Sequence, residues 1–212
     1  MTNKNQTFII LDRSGSMQSI RHDTINGFNQ FLKDQQKNNP DCQLSLVQFD
    51  HEIDNIYIEA PIKEVSPLTP KTYVPHGTTS LLDAIGFTLD KASIITVPKT
   101  QNAKVIVVII TDGQENSSTT FNKDQVFDKI KLLKEKHNWQ FIFLGANQDA
   151  IQEAQHLGIS SEQAMTFASD KDGTLNMFID LSHNINLCVN DNASLEFTKA
   201  QRTKQSRKNK ES

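Results

Sequence analysis

Residues 7–16 read TFIILDRSGS. A short apolar run, Phe8-Ile9-Ile10-Leu11, passes directly into Asp12-Arg13-Ser14-Gly15-Ser16. A run of this kind reads as a buried strand, which delivers one carboxylate and two hydroxyls to its carboxyl end. Hard oxygen donors of that type suit a small divalent cation such as Mg²⁺. The same residues are also ordinary helix N-caps, so the stretch gains its meaning from what the rest of the chain places beside it.

Outward from it, strand and helix patterns alternate. Met17, Ile20, Thr24, Phe28, Phe31 and Leu32 recur at three- and four-residue steps, the signature of a helix, which stops at Asn38-Asn39-Pro40. Gly27 lies inside it at a cost of about 1 kcal/mol relative to Ala, which suggests close helix–sheet contact. Residues 42–50 alternate, with Leu44, Leu46 and Gln48 opposite Val47 and Phe49. Residues 52–59 follow across a tight Asp50-His51 junction, which predicts an antiparallel hairpin at a sheet edge. Residues 60–77 hold four prolines and read as irregular. Leu81, Leu82, Ile85 and Leu89 mark the next helix. The unbroken run Val105 to Ile110 is typical of a strand covered on both faces. Val126, Phe127, Ile130 and Leu133 mark a helix capped by Asn122 and Gln125. Trp139 to Leu144 is another strand, and Ala150, Ile151, Ala154 and Leu157 a helix capped by Asn147 and stopped at Gly158. Ala164 to Ala168 reads as a last strand. Leu175, Phe178, Ile179 and Ile185 mark a final helix with Asp172 as its cap. The alternation predicts a doubly wound, Rossmann-like α/β domain, mostly parallel with one antiparallel edge strand and helices on both faces.

The chain has 212 residues, enough for one large domain with a sizeable core. Charge is unevenly spread: residues 199–212 hold six of the 22 Lys and Arg and one acid, which leaves 16 basic and 24 acidic residues in 1–198, a net of −8. An acidic body argues against nucleic-acid binding except through the tail. Residues 1–189 form the expected domain. From Asn190 the sequence turns polar and aperiodic and reads as a disordered basic tail, 190–212. The first strand begins near Gln6, which leaves no room for a signal peptide, and no run of 18 apolar residues occurs. A cytoplasmic location without membrane contact is expected, and Cys42 and Cys188 read as free thiols of a reducing compartment.

In open α/β sheets, ligands bind beyond the carboxyl ends of strands where the strand order reverses. Asp12 and Asp112 both follow central strands, and the loop Gly77-Thr78-Thr79-Ser80 precedes a helix between them. Brought together, the three segments supply two carboxylates and several hydroxyls. Two direct carboxylates neutralise a divalent ion, and hydroxyls add oxygen ligands without charge; where one Asp reaches the ion only through water, the ion stays electrophilic and attracts an outside acid. The assembly, Asp12-x-Ser14-x-Ser16, a threonine ahead of a helix, and Thr111-Asp112-Gly113 after a strand, resembles the von Willebrand factor A (vWA) family with a complete metal-ion-dependent adhesion site (MIDAS). The likeness runs over roughly 6–187. It is closest to small stand-alone bacterial and phage members, through Gly27 to Leu32, Thr111 to Ser118 and Phe143 to Asn147. The spacing to Asp83-Ala84-Ile85 makes Thr79, rather than Thr78, the family's threonine. The resemblance implies metal ligands Asp12, Ser14, Ser16, Thr79 and Asp112. It also implies Mg²⁺ (or Mn²⁺ or Ca²⁺) and a protein partner that gives the ion a Glu or Asp.

Other residues draw blander readings. Glu115 and Asn116 read as solvated loop groups, and Arg13 and Gln114 as exposed residues. Asp83 is either a first-turn helix acid or a support for the site. The six histidines show no zinc spacing; His76, just ahead of the threonine loop, is the one to watch, and it too reads as a surface histidine. A metal-dependent hydrolase or phosphotransferase is the main rival to a non-enzymatic binding module. The chain lacks the second Asp that a haloacid-dehalogenase-like nucleophile needs, and Ser14 stands there instead. It also has no P-loop and no Gly-x-Ser-x-Gly elbow. A scaffold acting through the basic tail is the third reading.

Overall fold

The structure, a computed structural model, describes residues 4–97, 103–146 and 149–208. Six strands form one sheet: β1 (Gln6–Asp12), β2 (Gln43–Phe49), β3 (Ile53–Pro61), β4 (Val105–Thr111), β5 (Gln140–Ala146) and β6 (Ala164–Phe167). Their order is β3-β2-β1-β4-β5-β6. Every pairing is parallel except β2 with β3. The helices are α1 (Arg21–Asn38), α2 (Leu81–Thr96), α3 (Lys123–His137), α4 (Ala150–His156), α5 (Lys171–Asp191) and α6 (Lys199–Lys208). This is the doubly wound sheet that the alternation predicts, with its antiparallel strand at one edge.

The central strands divide the core by parity. Ile9, Leu11, Ile106, Val108 and Ile110 pack with Phe28 and Phe31 of α1 and Phe178 and Leu181 of α5. Phe8, Ile10, Val107 and Ile109 pack on the other face with Leu81 and Ile85 of α2 and Val126 and Ile130 of α3. Each such side chain contributes about 1.5–3 kcal/mol on burial. Trp139 stacks on Phe8 at 6.3 Å and is core.

Gly27 is needed for a different contact from the one its place in the helix suggested. An added Cβ there would lie 2.3 Å from the ring of Phe178, so the close approach is between α1 and α5, not between helix and sheet. Asn122 and Gln125 form the capping box of α3. Asp170, not Asp172, caps α5 by accepting from the Gly173 amide at 2.6 Å. The buried stripe of α5 runs through Met177, Phe178, Leu181, Ile185 and Cys188, while Ile179 faces solvent. Asp149 caps α4; Asn147, read as that cap, lies outside the described residues.

The expectation of a disordered tail is corrected over its described part. Helix α5 continues to Asp191, Leu195 and Phe197 are buried in the core, and α6 follows. Aperiodic sequence concealed this because the segment contributes two isolated apolar anchors rather than a stripe. Helix α6 is then held by polar contacts: Arg202 donates to the Phe197 carbonyl at 2.8 Å, and Lys204 to Asn176 Oδ1 at 2.9 Å. No helix among the described residues is long and apolar enough to cross a membrane.

If the tail is part of the core, Phe197→Ala will lower unfolding free energy by about 3–5 kcal/mol, as for a buried aromatic. Urea denaturation measures this; a change below about 0.5 kcal/mol, typical of a surface site, would contradict the placement.

Candidate metal centre

The strand order reverses between β1 and β4, and the two carboxylates lie at that point. Asp12 ends β1 and Asp112 follows β4 by one residue, with Leu11 paired to Ile110. Asp12 is fully buried. Its Oδ1 accepts the Ser14 amide at 2.6 Å, and its Oδ2 accepts the Thr111 hydroxyl at 2.6 Å. Ser16 donates to Asp112 Oδ1 at 2.6 Å, and the Ser14 and Ser16 hydroxyl oxygens are 3.1 Å apart. The threonine loop closes the group: a Cβ built on Gly113 would be 3.0 Å from Thr79 Oγ1 and 3.5 Å from Ser16 Oγ. Thr79 is buried and Thr78 exposed. All five residues singled out from the sequence therefore meet in one place, open to solvent at Ser16.

The oxygen spacing fits a hard cation. An octahedral ion with bonds near 2.05 Å has adjacent ligands about 2.9 Å apart, and the Ser14–Ser16 and Ser16–Asp112 separations of 3.1 and 2.6 Å bracket that value. The electrostatics agree. Burial pushes Asp12 up from 3.8 to about 6, against the lowering effect of the Thr111 and Ser14 hydrogen bonds and with a further rise from Asp112. Asp112 is raised too, chiefly by burial. Two carboxylates are held where ionisation is costly unless a cation neutralises them.

Two contributors were not singled out as site residues from the sequence. Thr111 orients Asp12, and its place at the end of β4 was a usable signal. Tyr73 donates to the Asp12 carbonyl at 2.6 Å from within the proline-rich segment, where no pattern marks it. The loops behind the site are interlocked. Asp83 accepts the amides of Thr119, Thr120 and Phe121 at 2.9, 3.0 and 2.7 Å, so it is both a first-turn acid of α2 and a support. Glu115 is not a solvated loop group: it accepts from the amides of Leu82, Ser117 and Ser118 and from the Ser118 hydroxyl. Asn116 accepts the Thr79 amide at 2.9 Å and returns its own amide to the Thr79 carbonyl at 3.1 Å. Arg13 is not an exposed residue either. Its side chain is 11% exposed and pairs with Asp50 at 2.8 Å and Asp54 at 2.7 Å.

The von Willebrand factor type A domain family matches residues 8–180. The chain belongs to that family. No curated protein matches this vWA chain in sequence. Solved structures show the same fold at low identity. The pilus adhesin SpaC from Lactobacillus rhamnosus GG superposes with a TM-score of 0.68 at 13% identity, over 89% of this chain and 30% of that one. Proximal thread matrix protein 1 of the mussel byssus, with a zinc-occupied MIDAS motif, gives 0.58 at 15%, over 84% and 47%. Manganese-loaded TRAP protein of Plasmodium vivax gives 0.53 at 17%, over 84% and 74%. The vWA chain thus spans less than half the length of the mussel and pilus proteins.

The raised Asp12 value has a sign that can be tested. A carboxylate raised in the fold favours the neutral form, so its contribution is complete below about pH 4 and is lost as pH rises through about 6, by roughly 3 kcal/mol. In EDTA near neutral pH, Asp12→Asn should be more stable than wild type by on the order of 1–3 kcal/mol, and the gap should close toward about pH 4. Excess Mg²⁺ should reverse the order by stabilising wild type alone. Urea denaturation across pH, with and without metal, reads all three outcomes. Separately, Asp83→Ala frees three amides of the loop behind Thr79 and should weaken Mg²⁺ binding about 10–100-fold with no ligand removed, as measured by calorimetric titration.

Proposed function

We propose that this vWA domain binds a protein partner through a divalent cation held by Asp12, Ser14, Ser16, Thr79 and Asp112. The observation that carries the reading is the convergence of two carboxylates and three hydroxyls at a solvent-open switch point. Mg²⁺ suits this donor set best, with Mn²⁺ and Ca²⁺ sharing its oxygen preference. The ion supplies an electrophilic open position for a Glu or Asp of the partner. The chain's own part is to keep that position electrophilic. Ser14, Ser16 and Thr79 bring no charge, and Asp12 is already engaged by Thr111 and Ser14. The metal-bearing relatives support the same reading.

A binding role fits better than hydrolysis. Glu115, the nearest general-base candidate, has both oxygens taken up by loop amides and the Ser118 hydroxyl, so it is not poised to accept a proton from water. The tail reading is weakened as well, because α6 is packed rather than free. The proposed setting is the cytoplasm, on the strength of two buried free thiols, Cys42 and Cys188.

The test is a peptide array in which each Glu or Asp peptide is paired with its Gln or Asn counterpart, probed with the full chain in Mg²⁺ and in EDTA. Retention should require both the metal and the peptide carboxylate, and should fall at least tenfold in Ser14→Ala. Retention indifferent to EDTA would reject the metal mode. Turnover of a phosphate ester that vanishes in Asp12→Ala would establish the hydrolase instead.

A further inference from the structure

A second cluster of metal-binding side chains lies beside the first and shares none of its residues. Asp50, at the end of β2, His51 in the β2–β3 turn and His76 in the loop ahead of Thr79 converge, with one ligating atom from each within 4.8 Å of the others. Asp50 Oδ1 is 3.1 Å from His51 Nδ1, and Asp50 Oδ2 is 3.2 Å from His76 Nδ1. Ligands of a tetrahedral ion with bonds near 2.05 Å stand about 3.3 Å apart, and each imidazole nitrogen lies close to that distance from one of the two Asp50 oxygens; an ion drawing on one atom from each residue needs only small side-chain rotations within the cluster. The carboxylate is fully buried, while the two imidazoles are each about half-exposed at the lip (49% and 47%). A metal has an entry path, and a fourth position is left for water.

Charge balance alone does not explain the histidines. Asp50 already has a cation, Arg13 Nε at 2.8 Å on Oδ2, and a backbone donor, the Glu52 amide at 2.7 Å on Oδ1. These two contacts fix the carboxylate's orientation, as partners behind a metal ligand commonly do. Asp54 takes the other side of the guanidinium at 2.7 Å, so Arg13 is neutralised twice and the cluster keeps net negative charge. Two imidazoles with one carboxylate form a borderline donor set suited to Zn²⁺-like ions, not to Mg²⁺.

We infer that Asp50, His51 and His76 form a second divalent-metal site, selective for a Zn²⁺-class ion, that ties the β2–β3 turn to the loop carrying Thr79. The two segments are already in contact. The Ser80 amide donates to the Asp50 carbonyl at 2.8 Å. Gly77, at φ +69°, passes so close to the His51 ring that a Cβ would sit 2.2 Å from Nδ1. An ion here crosslinks the threonine loop from its outer side. The site stands without the binding role proposed above, because it uses different residues and a different class of metal.

The test is Zn²⁺ titration of the full chain in excess Mg²⁺, followed by calorimetry and by the imidazole C–H signals in two-dimensional NMR. One Zn²⁺ should bind, shifting the His51 and His76 signals, and binding should persist in Asp12→Asn, whose first site is impaired. His51→Ala/His76→Ala should abolish it. Should that variant melt below the assay temperature, His76→Gln decides, with binding weakened roughly tenfold or more. Zn²⁺ uptake that is lost in Asp12→Asn, that survives both histidine variants, or that is absent from wild type would overturn the assignment.

Discussion

The structure turns on one buried charge. Asp12 is enclosed at the end of β1, where the sheet reverses direction, and its two oxygens are fixed by the Ser14 amide and the Thr111 hydroxyl. The reversal leaves a crevice between the loops that follow β1 and β4, because successive connections depart to opposite faces there. The apolar strands on either side exclude water from the carboxylate and so raise its value. The core that stabilises the sheet therefore also makes the crevice favourable to a cation. Fold and site are one consequence of placing TFIIL immediately before Asp12.

The loops around the crevice would not hold their shape from packing alone. They contain few apolar residues, and their amides need partners wherever they are buried. Asp83, Glu115 and Asn116 supply those partners from neighbouring segments. A carboxylate that accepts three amides fixes several backbone dihedrals at once, so Asp83 and Glu115 each do the work of a short strand, and Asn116 adds a reciprocal pair with Thr79. This explains how a threonine loop with no regular structure can present Thr79 within reach of Ser16 and Gly113.

Strand periodicity made the sheet and its antiparallel edge legible, because both depend on local spacing; the meeting of the five site residues was legible only through the switch-point rule and the resemblance to the vWA family. What was hidden depends on distance. Gly27 answers to Phe178, far along the chain. The cap of α5 lies two residues ahead of the acid that the pattern favoured, since Asp170 and Asp172 are equivalent in sequence and only backbone geometry separates them. Leu195 and Phe197 anchor a segment whose composition reads as solvated. His51 and His76 carry no ligand spacing at all; the hairpin and the threonine loop bring them together. Histidine beside an acidic turn residue was a weak signal for the pairing, and only topology could strengthen it.

Arg13 shows how the charge at the centre is kept simple. It stands between two residues of the metal motif, and a guanidinium there would compete with any cation for Asp12 and Asp112. The alternation of an extended chain turns consecutive side chains to opposite sides, and Arg13 is directed to Asp50 and Asp54 instead. Those two acids remove its charge from the crevice and stiffen the β2–β3 hairpin in the same step. The crevice is left with two carboxylates and neutral hydroxyls. A divalent ion there would be at most neutralised, never over-compensated, a balance that favours the partner carboxylate of the proposed binding mode.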